Sequence, residues 1–152
     1  MSIVKLHRYG VRARSGGSPC LALEAPGKPP LRVASPPEFK DGIPGVWSPE
    51  ELLIGALAAC FERTVVAIAA YKGLPLHAVT VDATGHVLRK DTKYHFSLFE
   101  LDVDLETDAG REHEVERIAE LAHERCLVES ALDVPVHLSS EAHAASTAAV
   151  SA

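Results

Sequence analysis

The stretch Leu52-Leu53-Ile54-Gly55-Ala56-Leu57-Ala58-Ala59-Cys60-Phe61 carries no charge and follows directly on Ser48-Pro49-Glu50-Glu51. Ser48 with Glu51 three positions on is a capping-box pattern, and Pro49 falls at the first helical position, where its missing N–H costs nothing. The pattern predicts a helix from Ser48 to about Tyr71, stopped by Gly73 and Pro75. Between Phe61 and Lys72 only Glu62 and Arg63 are charged, so the helix is apolar nearly all round and calls for cover by other elements. Its uncharged run is about half of a membrane span, which argues for a core helix and against a transmembrane one. With 152 residues the chain is long enough for one domain with a real core.

The segments around this helix read mainly as strands. Residues 3–14 mix β-branched and polar side chains and run into the turn Ser15-Gly16-Gly17-Ser18-Pro19, a strand followed by a hairpin. Residues 20–24 are the return strand, residues 31–34 a third short one, and residues 35–47 a Pro- and Gly-rich loop. Residues 76–90 and 94–106 are long strand candidates joined at Lys90-Asp91-Thr92-Lys93. In the second, Tyr94, Phe96 and Leu98 share one parity and Phe99, Leu101, Val103 and Leu105 the other, which implies a β-bulge near Leu98-Phe99. Strands of that length, about 50 Å, overrun a compact chain of this size, about 40 Å across, so they curl around the helix or reach a second subunit. Residues 110–125 form a second helix with Val115, Ile118, Ala119, Ala122 and Cys126 on one face. Residues 134–138 are a last strand, at an edge because of Pro135. The domain is thus expected to span 1–138, with the Ala- and Ser-rich residues 139–152 as a loosely ordered tail.

Net charge is −6 with scattered basic residues, which provides no footprint for nucleic acid. The start Met-Ser-Ile-Val-Lys has no apolar signal core, so a cytoplasmic protein in a reducing compartment is expected, and Cys20, Cys60 and Cys126 do not read as a disulfide scaffold. No HExxH or paired CxxC spacing, GxGxxG, P-loop or GxSxG occurs, so neither a metal nor a cofactor is expected.

Two cysteines lie on buried faces of different helices, Cys60 in mid-helix and Cys126 at a helix end. Both are accounted for as small core hydrophobes, or as a dithiol in which one thiolate attacks an electrophile and the other resolves the product. A mid-helix thiol needs a nearby cation to be activated. Arg63 is the nearest in sequence, and Arg12, Arg14 and Arg32 are candidates from the strands. The capping box uses Glu51 and leaves Glu50 spare. Gly55, Ala56, Ala58 and Ala59 thin the helix surface and permit close approach of another helix.

With these residues in hand the sequence resembles the OsmC/Ohr family of thiol-dependent peroxidases. The likeness rests on Ser48-Pro49-Glu50-Glu51-Leu52-Leu53 through Ala58-Ala59-Cys60-Phe61 and on Ala122-His123-Glu124-Arg125-Cys126. It implies an α+β fold in which two curved antiparallel sheets wrap around long central helices in an intertwined homodimer. It also implies Cys60 as the peroxidatic thiol, Cys126 as the resolving thiol and Glu50 as the acid that orients an arginine. Organic hydroperoxides or hydrogen peroxide would be reduced, and a dithiol such as a lipoylated protein would restore the site. Ser18 stands where Ohr proteins carry their arginine, only Phe39-Lys40 stands where the OsmC branch carries it, and Leu127-Val128-Glu129-Ser130 replaces the usual sequence after the resolving cysteine. A competing expectation is a small-molecule binding protein of the same fold without peroxidase activity.

Overall fold

Three short strands form where apolar and extended residues are punctuated by turns: β1 (Arg12–Arg14), β2 (Leu21–Glu24) and β3 (Leu31–Val33). They pair as an antiparallel meander in that order. The computed structural model describes residues 5–146, and the chain divides into two units, Met1–Leu52 and Leu53–Ala152. In the first unit the loop after β3 is folded back on itself. Ala34 N–H donates to Trp47 O at 3.0 Å, and a Cβ on Gly42 would stand 2.0 Å from Pro36 O, so only glycine fits there. The loop ends in the expected capping box: Ser48 N–H donates to Glu51 Oε2 at 2.8 Å and Glu51 N–H to Ser48 Oγ at 3.1 Å.

Helix α1 runs Pro49–Lys72. Gly73, at φ 65°, closes it: Gly73 N–H reaches Ala70 O and Leu74 N–H reaches Ala69 O, the paired bonds of a Schellman cap. Among the described residues α1 is the one helix long and apolar enough to cross a membrane, so the shortness of its uncharged run does not by itself set a span aside. Its packing makes the distinction. Leu57, Phe61, Val65, Ile68 and Ala69 are buried in a core. The opposite side, including Gly55, Ala56, Ala59 and Ala70, is exposed, so within this chain the helix is covered on one side and not all round.

That core is completed by β4 (Ala78–Lys90), β5 (Lys93–Thr107), α2 (Glu112–Arg125) and β6 (Val136–Ala144). Phe99, Leu101, Val103 and Leu105 of β5 and Val115, Ile118, Ala119 and Ala122 of α2 are buried against it. The alternation in β5 breaks where expected: His86 pairs with Leu98 but Val87 with Phe96, so Ser97 is the extra residue and the bulge lies one position before Leu98-Phe99. The bulge turns Phe96 and Phe99 to the same side, where their rings stack at 4.9 Å. The α+β class is as expected, with one difference in pairing. β5 and β6 run parallel, because a helical crossover returns the chain in the same direction.

The loosely ordered tail is corrected over residues 139–144, which continue β6. Ala and Ser suffice because the strand is held by its pairing with β5, by Ala145 N–H to Thr107 O at 2.8 Å, and by Glu116 Oε1 accepting from Ala142 N–H at 3.3 Å. Residues 147–152 lie outside the described residues. On its outer face the sheet sets Asp82 opposite Asp102 and Asp104 opposite Glu141, with Glu100 and Glu106 alongside.

Candidate active site

Cys60 and Cys126 are brought together. Cys60 is partly buried on α1 and packs against the core cluster. Cys126 caps the C-terminus of α2 in an extended conformation, is 2 % exposed, and lies in the same core cluster that Cys60 packs against, near enough for the Cys60 thiol to raise its pKa. A cavity of about 460 Å³ opens at Cys60, walled also by Thr64, Tyr71, Lys72, Leu121 and Arg125. Thr64 Oγ1 donates to Cys60 O at 2.7 Å, so this hydroxyl is occupied by the backbone and leaves the sulfur free of it.

Burial pushes the Cys126 thiol up, the backbone N–H of Glu129 pulls it down, the nearby Cys60 adds to the rise, and the N–H of Val128 opposes it. The donors come from the turn entering the short 3-10 helix η1 (Glu129–Ala131), which Ser130 N–H fastens to Cys126 O at 3.0 Å. Glu129 is tied back to α2, with its Oε1 2.7 Å from His123 Nδ1. Burial pushes the Glu129 carboxyl up and His123 works against that. Because the raised thiol is protonated at neutral pH, the thiolate absorbance of a Cys20→Ser, Cys60→Ser protein should develop at higher pH than that of an ordinary cysteine. Development at or below the ordinary pH would mean that the backbone donors outweigh burial.

Of the other expected site groups, Arg63 shares the second unit with Cys60, while Glu50, Arg14 and Cys20 belong to the first. Arg63 lines the same cavity, but its guanidinium is bonded to Glu62, and this pairing raises its pKa. As the nearest candidate cation in sequence, Arg63 is thus drawn to its own neighbour. Along α1, Glu50 and Cys60 are separated by about 15 Å of helix rise. Glu50 Oε2 is buried without a hydrogen-bond partner, whereas Arg14 is paired with Glu24 at 3.3 Å. Cys20 lies in the first unit, its thiol directed to Leu21 O at 3.7 Å. Sequence reasoning missed Arg125, which reaches the Cys60 cavity. Its position next to Cys126 was the available signal. Among the described residues no cluster of His, Cys, Asp and Glu suited to a metal occurs.

The site thus sets a helix-borne thiol at a cavity wall near a buried second thiol from another helix, within an α+β fold. The sequence profile of OsmC-like proteins matches residues 42–141, and the chain belongs to that family. An OsmC-like protein of unknown function from Vibrio cholerae is similar in structure, with TM-score 0.80, 16% identity, and coverage of 89% of this chain and 99% of that one. An organic hydroperoxide resistance protein from Elizabethkingia anophelis has TM-score 0.77, 19% identity, and coverage of 93% and 100%. An organic hydroperoxide resistance protein OsmC from Legionella pneumophila has TM-score 0.74, 25% identity, and coverage of 91% and 99%. No match to this chain was found among curated proteins.

Proposed function

We propose that the protein is a thiol-dependent peroxidase of organic hydroperoxides or hydrogen peroxide, acting in oxidative stress defence. The observation that carries this reading is the nearness of Cys60, at the wall of a cavity, to the buried Cys126. Family membership and the names of the Elizabethkingia and Legionella relatives support it. Cys60 thiolate attacks the terminal peroxide oxygen, the O–O bond breaks, and the alcohol or water leaves with a proton. The resulting Cys60 sulfenic acid is attacked by Cys126, water departs, and a Cys60–Cys126 disulfide remains. A thiol reductant restores both sulfurs. Glu50, with its unpartnered carboxylate oxygen, is the acid that orients an arginine.

Intact-mass analysis after one equivalent of cumene hydroperoxide tests this. Loss of two hydrogens per chain, with two free thiols titrating away, is expected. An unchanged mass would favour the competing reading of a small-molecule binding protein. That reading has one observation on its side, the diversion of Arg63 to Glu62.

The working unit is proposed to be a cytoplasmic homodimer. The exposed small-residue side of α1 supports this, as does the β4–β5 hairpin tip, where Val87, Leu88 and Tyr94 are 41%, 54% and 54% exposed. Gly55→Leu separates the possibilities by sign. A Cβ at Gly55 meets nothing within 4 Å in one chain, so an isolated monomer should gain up to about 1 kcal/mol of helix propensity. A homodimer packed on that stripe should instead lose affinity, seen as dissociation in equilibrium sedimentation. A more stable variant with unchanged mass would remove α1 from the interface.

A further inference from the structure

We infer that the site is regenerated by a small thiol bearing its own negative charge, a carboxylate, sulfonate or phosphate, which enters a cationic groove beside α1 and α2 and attacks the sulfur of Cys60. This rests on the peroxidase reading, since it needs a Cys60–Cys126 disulfide to reduce. The cavity at Cys60 adjoins a second one of about 470 Å³, with Lys72 and Leu121 as shared walls, and the two are taken together as one groove. Its charged lining is Arg63, Lys72, Arg111, Arg117 and Arg125, with Glu114 as its one acid. Arg63 is engaged by Glu62, and Arg111 by Glu114 at 3.0 Å. Among the described residues no ion pair engages Lys72, Arg117 or Arg125. The remaining basic residues beyond Leu53, namely Arg89, Lys90 and Lys93, sit at the β4–β5 hairpin tip.

The groove is therefore a positive track leading to Cys60 in an otherwise acidic part of the chain. A cleft of one sign concentrates ligands of the other and raises their rate of arrival by roughly 10 to 1,000-fold. The reacting form of a thiol is itself an anion, so an anionic thiol gains twice. Pockets that take small molecules have volumes of about 300–1,000 Å³, and both cavities fall in that range.

Access selects the sulfur. Cys60 lines the groove while Cys126 is 2 % exposed, so the incoming thiolate bonds to Cys60 Sγ and the Cys60–Cys126 bond breaks. The electron pair leaves on Cys126, whose thiolate is received by the N–H groups of Glu129 and Val128 and then takes a proton. A second thiolate attacks the outer sulfur of the mixed disulfide, giving the oxidised small disulfide and Cys60 thiolate. Two thiols are oxidised for each protein disulfide reduced.

The test starts from protein oxidised with diamide, the disulfide being checked by mass. Its reduction is followed with 2-mercaptoethanesulfonate, 2-mercaptoethanol, cysteamine and dihydrolipoamide at equal thiolate concentration. The sulfonate should be at least about tenfold faster than the neutral 2-mercaptoethanol at low salt and cysteamine slowest, with the spread collapsing at high salt. Lys72→Glu with Arg117→Glu should invert the order. Equal rates for the charged and neutral thiols, no salt effect, or dihydrolipoamide fastest would overturn the proposal while leaving the peroxidase reading intact. Failure to form the disulfide at all would overturn both.

Discussion

Cys60→Ser protein is expected to consume no hydroperoxide, while Cys126→Ser protein should consume one equivalent and stop. The division follows from placement. Only Cys60 meets the cavity, so only it can reach a peroxide oxygen, whereas Cys126 at 2 % exposure is positioned to meet the sulfur beside it. Without Cys126 the sulfenic acid persists, and further peroxide drives it to sulfinic and sulfonic acids, which intact mass resolves as successive added oxygens. Cys20→Ser should retain full turnover. Equal residual turnover in the Cys60 and Cys126 variants would sink the dithiol mechanism, and loss of activity in a stable Cys20 variant would show that the pair is wrongly chosen.

Much of this arrangement was legible in the sequence because it is written in local rules. The capping box at Ser48 and Glu51, the stop at Gly73 and the buried face of α2 ending on Cys126 each need only near neighbours. So does the phase change in β5, whose extra residue proved to be Ser97. What escaped was set by distant partners. The parallel pairing of β6 with β5 depends on where a crossover returns the chain, and its Ala and Ser residues look uncommitted until an edge is available to them. The cationic setting of Cys60 was sought one turn away at Arg63, which prefers its own neighbour Glu62. Arg117 and Arg125 reach the same groove from a helix more than fifty positions later.

Phe61→Ala should cost about 3–5 kcal/mol of stability, a large share of the roughly 5–15 kcal/mol that holds a domain together. Phe61 is fully buried among Leu57, Val65 and the inner residues of β5 and α2, and it directly follows Cys60. Truncation therefore removes apolar area and leaves a cavity that a helix pinned by its caps closes poorly. Urea denaturation at fixed protein concentration measures the loss. Leu127→Ala, at a position 75% exposed, serves as the control and should shift stability by no more than about 0.5 kcal/mol. A similar effect from both substitutions would place the stabilising core elsewhere.

The carboxylates facing one another across the outer surface of the sheet, Asp82 with Asp102 and Asp104 with Glu141, weaken the pairing that carries them, since like charges directly opposite repel. They also govern how copies of the protein can meet. Two molecules approaching sheet to sheet would bring these acids towards one another, a repulsion tempered by His86, 2.6 Å from Glu100, and His143, 3.0 Å from Asp104. The thinned side of α1 offers no comparable row. On β6 itself Glu141 places a charge on an exposed edge strand, the kind of residue that discourages edge-to-edge pairing with another chain.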